Sequence, residues 1–229
     1  MISFSSLYKK LLKHYGHQGW WPLVDPVTGI SVYRSRIRYN EIEKFEICIG
    51  AILTQGISWK NVEKALYNLK KGNYLDPVSL KRISNEKLGI LIKPTGYFNQ
   101  KAIKVKNFLN WFKNYNYNFS KLSKIPDLIL RESLLSINGI GPETADSILN
   151  YGLGRKIFVV DAYTKRILSR LGLIDESLEY NTVQKMFYKN FRAEVQDYKE
   201  FHSLIVAHGS TTCQKKPLCV KCPLSAICK

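Results

Sequence analysis

The sequence has no apolar run of eighteen residues, so nothing in it predicts a membrane-spanning helix. Its first twenty residues mix Lys9, Lys10, Lys13 and two histidines into the apolar positions, which does not fit a secretory signal peptide. Internal repeats, low-complexity tracts and long flexible linkers are also missing. We therefore expect an ordinary globular protein inside the cell. Its 229 residues are enough for one large core or for two lobes.

Acidic residues are scarce relative to basic ones. Asp and Glu number 18 against 35 Lys and Arg, which gives a formal net charge of +17. The excess is spread along the chain, as expected for a protein that binds a polyanion. A lysine-rich proteome would give the same excess, and charge alone does not distinguish nucleic acid from an acidic membrane. The motifs have to make that distinction.

Strand patterns are nearly missing as well. Apolar residues recur at helical spacing almost throughout, which predicts an all-α fold of ten to eleven helices. Asp76 and Pro77, for example, suit an N-cap and a first helical position. The run KIFVV at 156–160 is too isolated to pair as a strand, and we interpret it as a buried extended entry to the next helix. Segment 19–30, which carries proline and glycine, is predicted to be irregular.

The stretch SINGIGPETADSIL predicts two helices joined by a tight glycine turn. Gly139 and Gly141 flank an apolar isoleucine, Pro142 suits the first position of the second helix, and Glu143 falls in its first turn. Such a turn exposes backbone N–H groups at a helix N-terminus, where a phosphate can approach the glycines closely. We interpret it as a phosphate clamp. A plain turn between helices is the alternative.

An aspartate follows this turn by about twenty residues, in VVDAYTKRIL. Asp161 comes after two apolar valines and immediately before a predicted helix. One interpretation is an N-cap carboxylate that accepts hydrogen bonds from the helix N–H groups. The other is a catalytic carboxylate that stabilises developing positive charge or activates water. The two roles are compatible.

Four of the five cysteines fall in the last seventeen residues, at Cys213, Cys219, Cys222 and Cys228. In an intracellular chain, cysteines this close together are more typical of metal ligands than of disulfides. Zinc sites usually show two C-x2-C pairs, and only one is present here. The compact run therefore favours a [4Fe-4S] cluster, with zinc as the alternative. Cys48 lies in an apolar segment and is expected in the core.

Taken in order, the G-I-G turn, the Val-Asp pair and HGSTTCQKKPLCVKCPLSAIC resemble the endonuclease III superfamily of helix-hairpin-helix DNA base-excision glycosylases. The resemblance covers essentially the whole chain. It implies two all-α lobes with DNA across the cleft between them. One is a helical barrel lobe of residues 39–151 that ends in the hairpin, and the other combines residues 1–38 and 152–229.

The same resemblance implies roles for individual residues. Asp161 corresponds to the catalytic aspartate, and the cysteine run corresponds to the ligands of a [4Fe-4S] cluster. Lys215 and Lys216 lie in the loop that contacts the DNA backbone in relatives. Only five residues separate the first two cysteines here, where the family usually has six, so this loop is one residue shorter.

A second departure concerns the reaction. In bifunctional relatives the second residue after the G-x-G turn is a lysine that attacks the sugar and forms a Schiff base. Here that position is Glu143, and a carboxylate cannot form a Schiff base with an aldehyde. The sequence therefore predicts a monofunctional glycosylase that leaves the abasic site uncut. Glu143 either takes part in catalysis or caps its helix.

Within the superfamily, the stretches WWP, GAILTQGISW and KPTGYFNQKA are similar to the endonuclease III-type 3-methyladenine DNA glycosylases. This resemblance implies that Trp20, Trp21 and Trp59 line the pocket for a flipped base and that Gln55 fills the gap left in the duplex. A cationic methylated adenine stacks well on indole rings and leaves without further protonation. The described member of that branch lacks the cysteine run that this chain has.

Two alternatives stay open. The enzyme could instead release uracil, mismatched thymine or an oxidised base, which leave as anions and need hydrogen-bond donors in the pocket. A protein of another class, a non-catalytic DNA-binding protein with a structural metal, would retain the hairpin and the charge. In either case we expect double-stranded DNA as the partner and a monomeric protein. For the enzyme, that DNA carries a damaged base.

Overall fold

The computed structural model describes residues 2–34 and 38–228, and most of them are helical. Their contacts divide the chain into two compact units. The central unit is the continuous segment Trp21–Arg155, and the terminal unit joins the chain's two ends, Met1–Trp20 and Lys156–Lys229. No helix in the described ranges is long and apolar enough to cross a membrane. The all-α expectation is confirmed.

In its described residues, 21–34 and 38–155, the central unit contains eight α-helices and one short antiparallel strand pair. They are β1 (Leu23–Val24), β2 (Ser31–Val32), α2 (Glu41–Leu53), α3 (Trp59–Lys71), α4 (Pro77–Arg82), α5 (Asn85–Leu91), α6 (Phe98–Lys113), α7 (Phe119–Leu122), α8 (Asp127–Leu135) and α9 (Pro142–Ser147), with α9 continuing into a π-helical turn at Ile148–Gly152.

The core of the central unit is built around α2. Every residue from Phe45 to Leu53 is buried, so this helix is covered on all sides, as its apolar sequence predicts. Cys48 is fully buried among them. Helix α2 begins with a capping box in which Asn40 and Glu43 satisfy each other's backbone N–H groups. The predicted N-cap Asp76 and first-turn Pro77 are likewise confirmed at the start of α4.

The loop at 19–30 is more ordered than the sequence indicates. Leu23 pairs with Val32 and Val24 with Ser31, and the Val24 N–H donates to the buried carboxylate of Glu46 at 2.7 Å. This anchors the segment to α2. The central unit accordingly begins at Trp21 and ends at Arg155, whereas the resemblance placed these boundaries at 39 and 151.

The terminal unit contains α1 (Phe4–Tyr15), α10 (Ala162–Arg170), α11 (Tyr180–Asn190) and α12 (Val195–Thr211), followed by the cysteine-bearing loop. An aromatic cluster forms its core, with the Phe158 and Phe187 rings stacked 3.5 Å apart between centroids. Residues 157–160 are buried and do not pair in a sheet, as expected. This segment carries the chain directly to Asp161 at the start of α10.

Candidate functional site

The turn between α8 and α9 has the geometry of a tight hairpin. Gly139 has φ +94°, and the N–H of Ile140 donates to the Ile137 carbonyl at 3.0 Å while the Ile140 side chain is buried. A Cβ on Gly139 would meet the Lys104 side chain, with Cδ only 2.9 Å away. A Cβ on Gly141 would meet no atom within 4 Å. The positive φ at position 139 therefore requires glycine. At position 141 the absence of a side chain leaves open space in front of α9.

A buried ion pair holds the hairpin together. Arg131 on α8 binds the carboxylate of Asp146 on α9 through two nitrogens, at 2.6 and 3.1 Å, and Asp146 is fully buried. A bidentate pair of this kind fixes both distance and angle between two helices. Pro142 occupies the first turn of α9, and Glu143 is exposed beside it. The predicted position of Glu143 at the helix start is confirmed.

Gln55 lies against the hairpin. Its amide nitrogen donates to the Gly139 carbonyl at 3.0 Å and to the Thr144 hydroxyl at 2.9 Å, and its amide oxygen accepts from Lys104 Nζ at 2.5 Å. The residue predicted to fill the gap in the duplex is thus next to the turn predicted to bind phosphate. Three hydrogen bonds hold it there.

Asp161 is the N-cap of α10, and only 11% of its side chain is exposed. Its Oδ1 accepts hydrogen bonds from the backbone N–H and the hydroxyl of Thr164, both at 2.7 Å. The Thr164 hydroxyl in turn accepts from the Asp161 N–H at 3.4 Å, which completes a capping box. The other carboxylate oxygen of Asp161, Oδ2, lies 3.7 Å from Nε2 of His202. The capping role expected for Asp161 is confirmed.

His202 is the residue at this site that the sequence did not identify. It is buried on α12, and the Trp20 and Phe158 rings lie nearly perpendicular to its imidazole at centroid distances of 6.2 and 6.4 Å. Burial lowers the pKa of His202, while the nearby Asp161 opposes that shift. The two residues are 41 positions apart, and nothing local in the sequence connects them.

The three tryptophans make different contacts. Trp20 belongs to the terminal unit and packs on His202. In the central unit the rings of Trp21 and Trp59 meet edge to face at 5.4 Å, and Trp59 Nε1 donates to the Ser31 hydroxyl at 2.8 Å. Trp21 is only 4% exposed, so in this conformation its ring is packed in the core. Trp59 is half-buried and more accessible.

The four C-terminal cysteines line one cavity of about 340 Å³. Burial raises the pKa of the Cys222 thiol, and the charges of the three other cysteines add to this effect. Among residues 2–34 and 38–228, no group of three or more Cys, His, Asp or Glu side chains is close enough together to share one metal ion.

Arg170 and His208 lie close to two of the cysteine sulfurs. Arg170 donates to Cys213 Sγ at 3.2 Å and to the backbone oxygens of Gln214 and Lys215 at 2.7 and 3.1 Å. His208 Nε2 lies 3.8 Å from Cys222 Sγ. Arg170 thus fixes the beginning of the loop that presents the exposed side chains of Lys215 and Lys216.

Comparison with known proteins finds a family match and relatives that align over nearly all of the chain. The family described as HhH-GPD superfamily base excision DNA repair protein matches residues 49–193. The protein named "Putative DNA repair glycosylase MJ1434" of Methanocaldococcus jannaschii is 45% identical over 97% of this chain and 94% of its own length. Endonuclease III of Sulfolobus acidocaldarius is 30% identical over 98% of this chain and 95% of its own.

Two solved structures have a similar fold. The H. pylori 3-methyladenine DNA glycosylase bound to 1,N6-ethenoadenine aligns with a TM-score of 0.70 and 26% identity, over 90% of this chain and 97% of its own. A non-covalent endonuclease III–DNA complex aligns with a TM-score of 0.76 and 19% identity, over 100% of this chain and 96% of its own. The second likeness concerns the fold alone.

Proposed function

Because the chain belongs to the HhH-GPD superfamily of base excision DNA repair proteins and is a DNA glycosylase, we propose that it is a monofunctional one. It hydrolyses the N-glycosidic bond of a damaged base that has been flipped out of double-stranded DNA. The observation that carries this proposal is Asp161, which is held at the start of α10 with Oδ1 fixed by Thr164. A carboxylate fixed in this way can stabilise the positive charge that develops on the sugar and guide the attacking water.

Glu143 supports the monofunctional assignment. It is exposed at the start of α9, beside the hairpin turn, where bifunctional relatives carry the attacking lysine. Its carboxylate cannot form a Schiff base, so the reaction ends with base release and the strand stays intact.

An alkylated purine such as 3-methyladenine is the substrate that the site supports best. A cationic base needs stacking on electron-rich rings more than it needs hydrogen-bond donors, and each good contact contributes about 0.5–2 kcal/mol. Trp20 and Trp59 are partly exposed indoles that supply such surfaces, and Trp21 packs behind Trp59. The 26% identical H. pylori glycosylase is named for 3-methyladenine.

The cysteine cavity fits a [4Fe-4S] cluster better than a zinc ion. A single zinc needs four sulfurs at about 2.3 Å from one point, whereas a cluster occupies the space between its four thiolates. Cys213, Cys219, Cys222 and Cys228 line one cavity of about 340 Å³, which supports the proposal of a cluster. Bound there, a cluster would fix the loop with Lys215 and Lys216 in one conformation. The lysines then bind DNA phosphates, together with the N–H groups at Gly139 and Gly141. We infer that the protein acts on DNA as a monomer inside the cell.

A panel of duplexes tests the substrate assignment. Each duplex carries one modified base (3-methyladenine, uracil, mismatched thymine or an oxidised guanine), and strand breaks are scored with and without alkali. We expect breaks at the alkylated purine, and only after alkali. Breaks without alkali would contradict the monofunctional assignment, and release of only another base would favour the alternative glycosylases. Release of no base from any duplex would favour the non-catalytic DNA-binding protein.

A further inference from the structure

The two oxygens of the Asp161 carboxylate have different surroundings. Oδ1 accepts two short hydrogen bonds from Thr164, both of which stay within the first turn of α10. Oδ2 faces Nε2 of His202, which comes from α12. Thr164 alone would leave the carboxylate free to tilt about Oδ1, so the orientation of Oδ2 depends on the contact with α12.

The imidazole of His202 is itself held in place. Its side chain is 6% exposed, and the rings of Trp20 and Phe158 both pack nearly perpendicular to the imidazole. Phe158 is fixed in turn, because its carbonyl accepts a hydrogen bond from Gln184 at 2.7 Å and its ring stacks on Phe187. The ring plane of His202 is therefore set by packing and not by solvent.

The chemistry at Nε2 follows from its neighbour. A neutral imidazole carries one N–H, and a lone pair directed at a carboxylate oxygen would be repulsive. The favoured tautomer places the hydrogen on Nε2, where it can donate to Oδ2. The separation of 3.7 Å is longer than a hydrogen bond of about 2.7–3.2 Å, as is common for catalytic contacts before substrate binds.

We propose that His202 is a positioning residue for base release. Its Nε2–H directs Oδ2 of Asp161, so that the carboxylate meets the sugar of the flipped nucleotide in one orientation. A neutral donor orients the carboxylate without cancelling the negative charge that the transition state requires. Trp20, predicted to contact the flipped base, packs on the same imidazole, which links base recognition to the catalytic carboxylate. This inference rests on the glycosylase function proposed above.

Substitutions at position 202 separate orientation from packing. His202→Leu has a similar volume and no donor, whereas His202→Gln keeps an N–H donor on a side chain of similar reach. Ser203→Ala is the matched control, since Ser203 is the buried neighbour on α12 and its hydroxyl bonds the Glu200 carbonyl instead. Each is compared by its single-turnover rate of base release at saturating enzyme and by its Kd for a duplex with a tetrahydrofuran abasic analogue.

For His202→Leu we expect a rate loss of roughly 10- to 100-fold with the Kd little changed. His202→Gln should retain the rate to within about a factor of three, and Ser203→Ala should match the wild type. Equal rates for the Leu and Gln variants would overturn the proposal, whether both are slow or both are normal. So would a rise in Kd that accounts for the loss of rate.

Imidazole ¹⁵N NMR of the intact wild-type protein gives a test that does not depend on whether the variants fold. We expect His202 to be neutral with the proton on Nε2, and the Nε2 resonance to shift in Asp161→Asn. A proton on Nδ1, or no shift, would overturn the proposal. A wild-type protein that releases no base would instead contradict the proposed function, and the NMR result would still stand.

Discussion

At the scale of single residues, Asp161 combines a structural and a chemical role in one carboxylate. Oδ1 caps α10 through the N–H and the hydroxyl of Thr164, and Oδ2 faces His202. The capping part could be predicted from the sequence because it depends on residues three positions apart. The contact with His202 could not, because it joins two segments that are distant along the chain and meet only through tertiary packing.

The two roles of Asp161 predict different outcomes for two substitutions. Asn is as good an N-cap as Asp, so Asp161→Asn should change the free energy of unfolding by only a few tenths of a kcal/mol. Asp161→Ala removes the cap and should lower it by about 1 kcal/mol. Urea unfolding of both variants measures this difference. If Asp161→Asn destabilised the protein as much as Asp161→Ala, the stabilisation would come from the negative charge and not from the cap hydrogen bonds.

At the scale of secondary-structure elements, the hairpin between α8 and α9 predicts contrasting effects for its two glycines. Gly139→Ala should lower the free energy of unfolding by about 1–2 kcal/mol, because φ is +94° and the new Cβ meets Lys104. Gly141→Ala should leave stability within about 0.5 kcal/mol, since φ is −93° and the space is open.

Binding to undamaged duplex completes the comparison of the glycines. The Cβ of Gly141→Ala would occupy the space through which a phosphate approaches. The affinity of this variant for undamaged duplex should therefore fall by roughly tenfold, equivalent to about 1.4 kcal/mol. Wild-type affinity in this variant would mean that the hairpin does not bind phosphate through its second glycine.

The cysteine loop is the other element whose role can be tested by itself. The purified protein should be yellow-brown, with broad visible absorbance and about four irons per chain. Cys219→Ser should lose both iron and colour. Cys48→Ala is the control and should keep them, since Cys48 is fully buried in α2 and takes no part in the cavity. A colourless wild-type protein with one zinc would contradict the cluster.

Most of the elements could be predicted from local sequence, and two of the three exceptions depend on contacts between distant residues. The β1–β2 pair was missed because its two-residue strands are stabilised by Glu46 and not by their own pattern. The π-helical turn after α9 was missed because it continues an ordinary helical pattern. The hydrogen bonds of Gln55 to the hairpin join residues 84 and 89 positions apart. For the strand pair and for Gln55 the deciding contact is tertiary.

At the scale of the whole molecule, the net charge of +17 predicts DNA binding that weakens steeply with salt. Replacing both Lys215 and Lys216 by Ala should reduce the slope of log K against log salt by about one unit for each lysine. Replacing Lys9 and Lys10 on α1 is the control, because it removes the same charge from an exposed surface outside the loop. Equal slopes in the two double variants would mean that the loop makes no specific phosphate contacts.

The central claim is that one carboxylate drives hydrolytic base release. Its most direct test is the amount of free base, measured by mass spectrometry, that wild type and Asp161→Asn release from the preferred duplex in a single turnover. Wild type should release one base per active site and leave the strand intact, and the variant should do so roughly 10²- to 10⁴-fold more slowly while binding the duplex as tightly. Equal rates of base release in the two proteins would contradict the account.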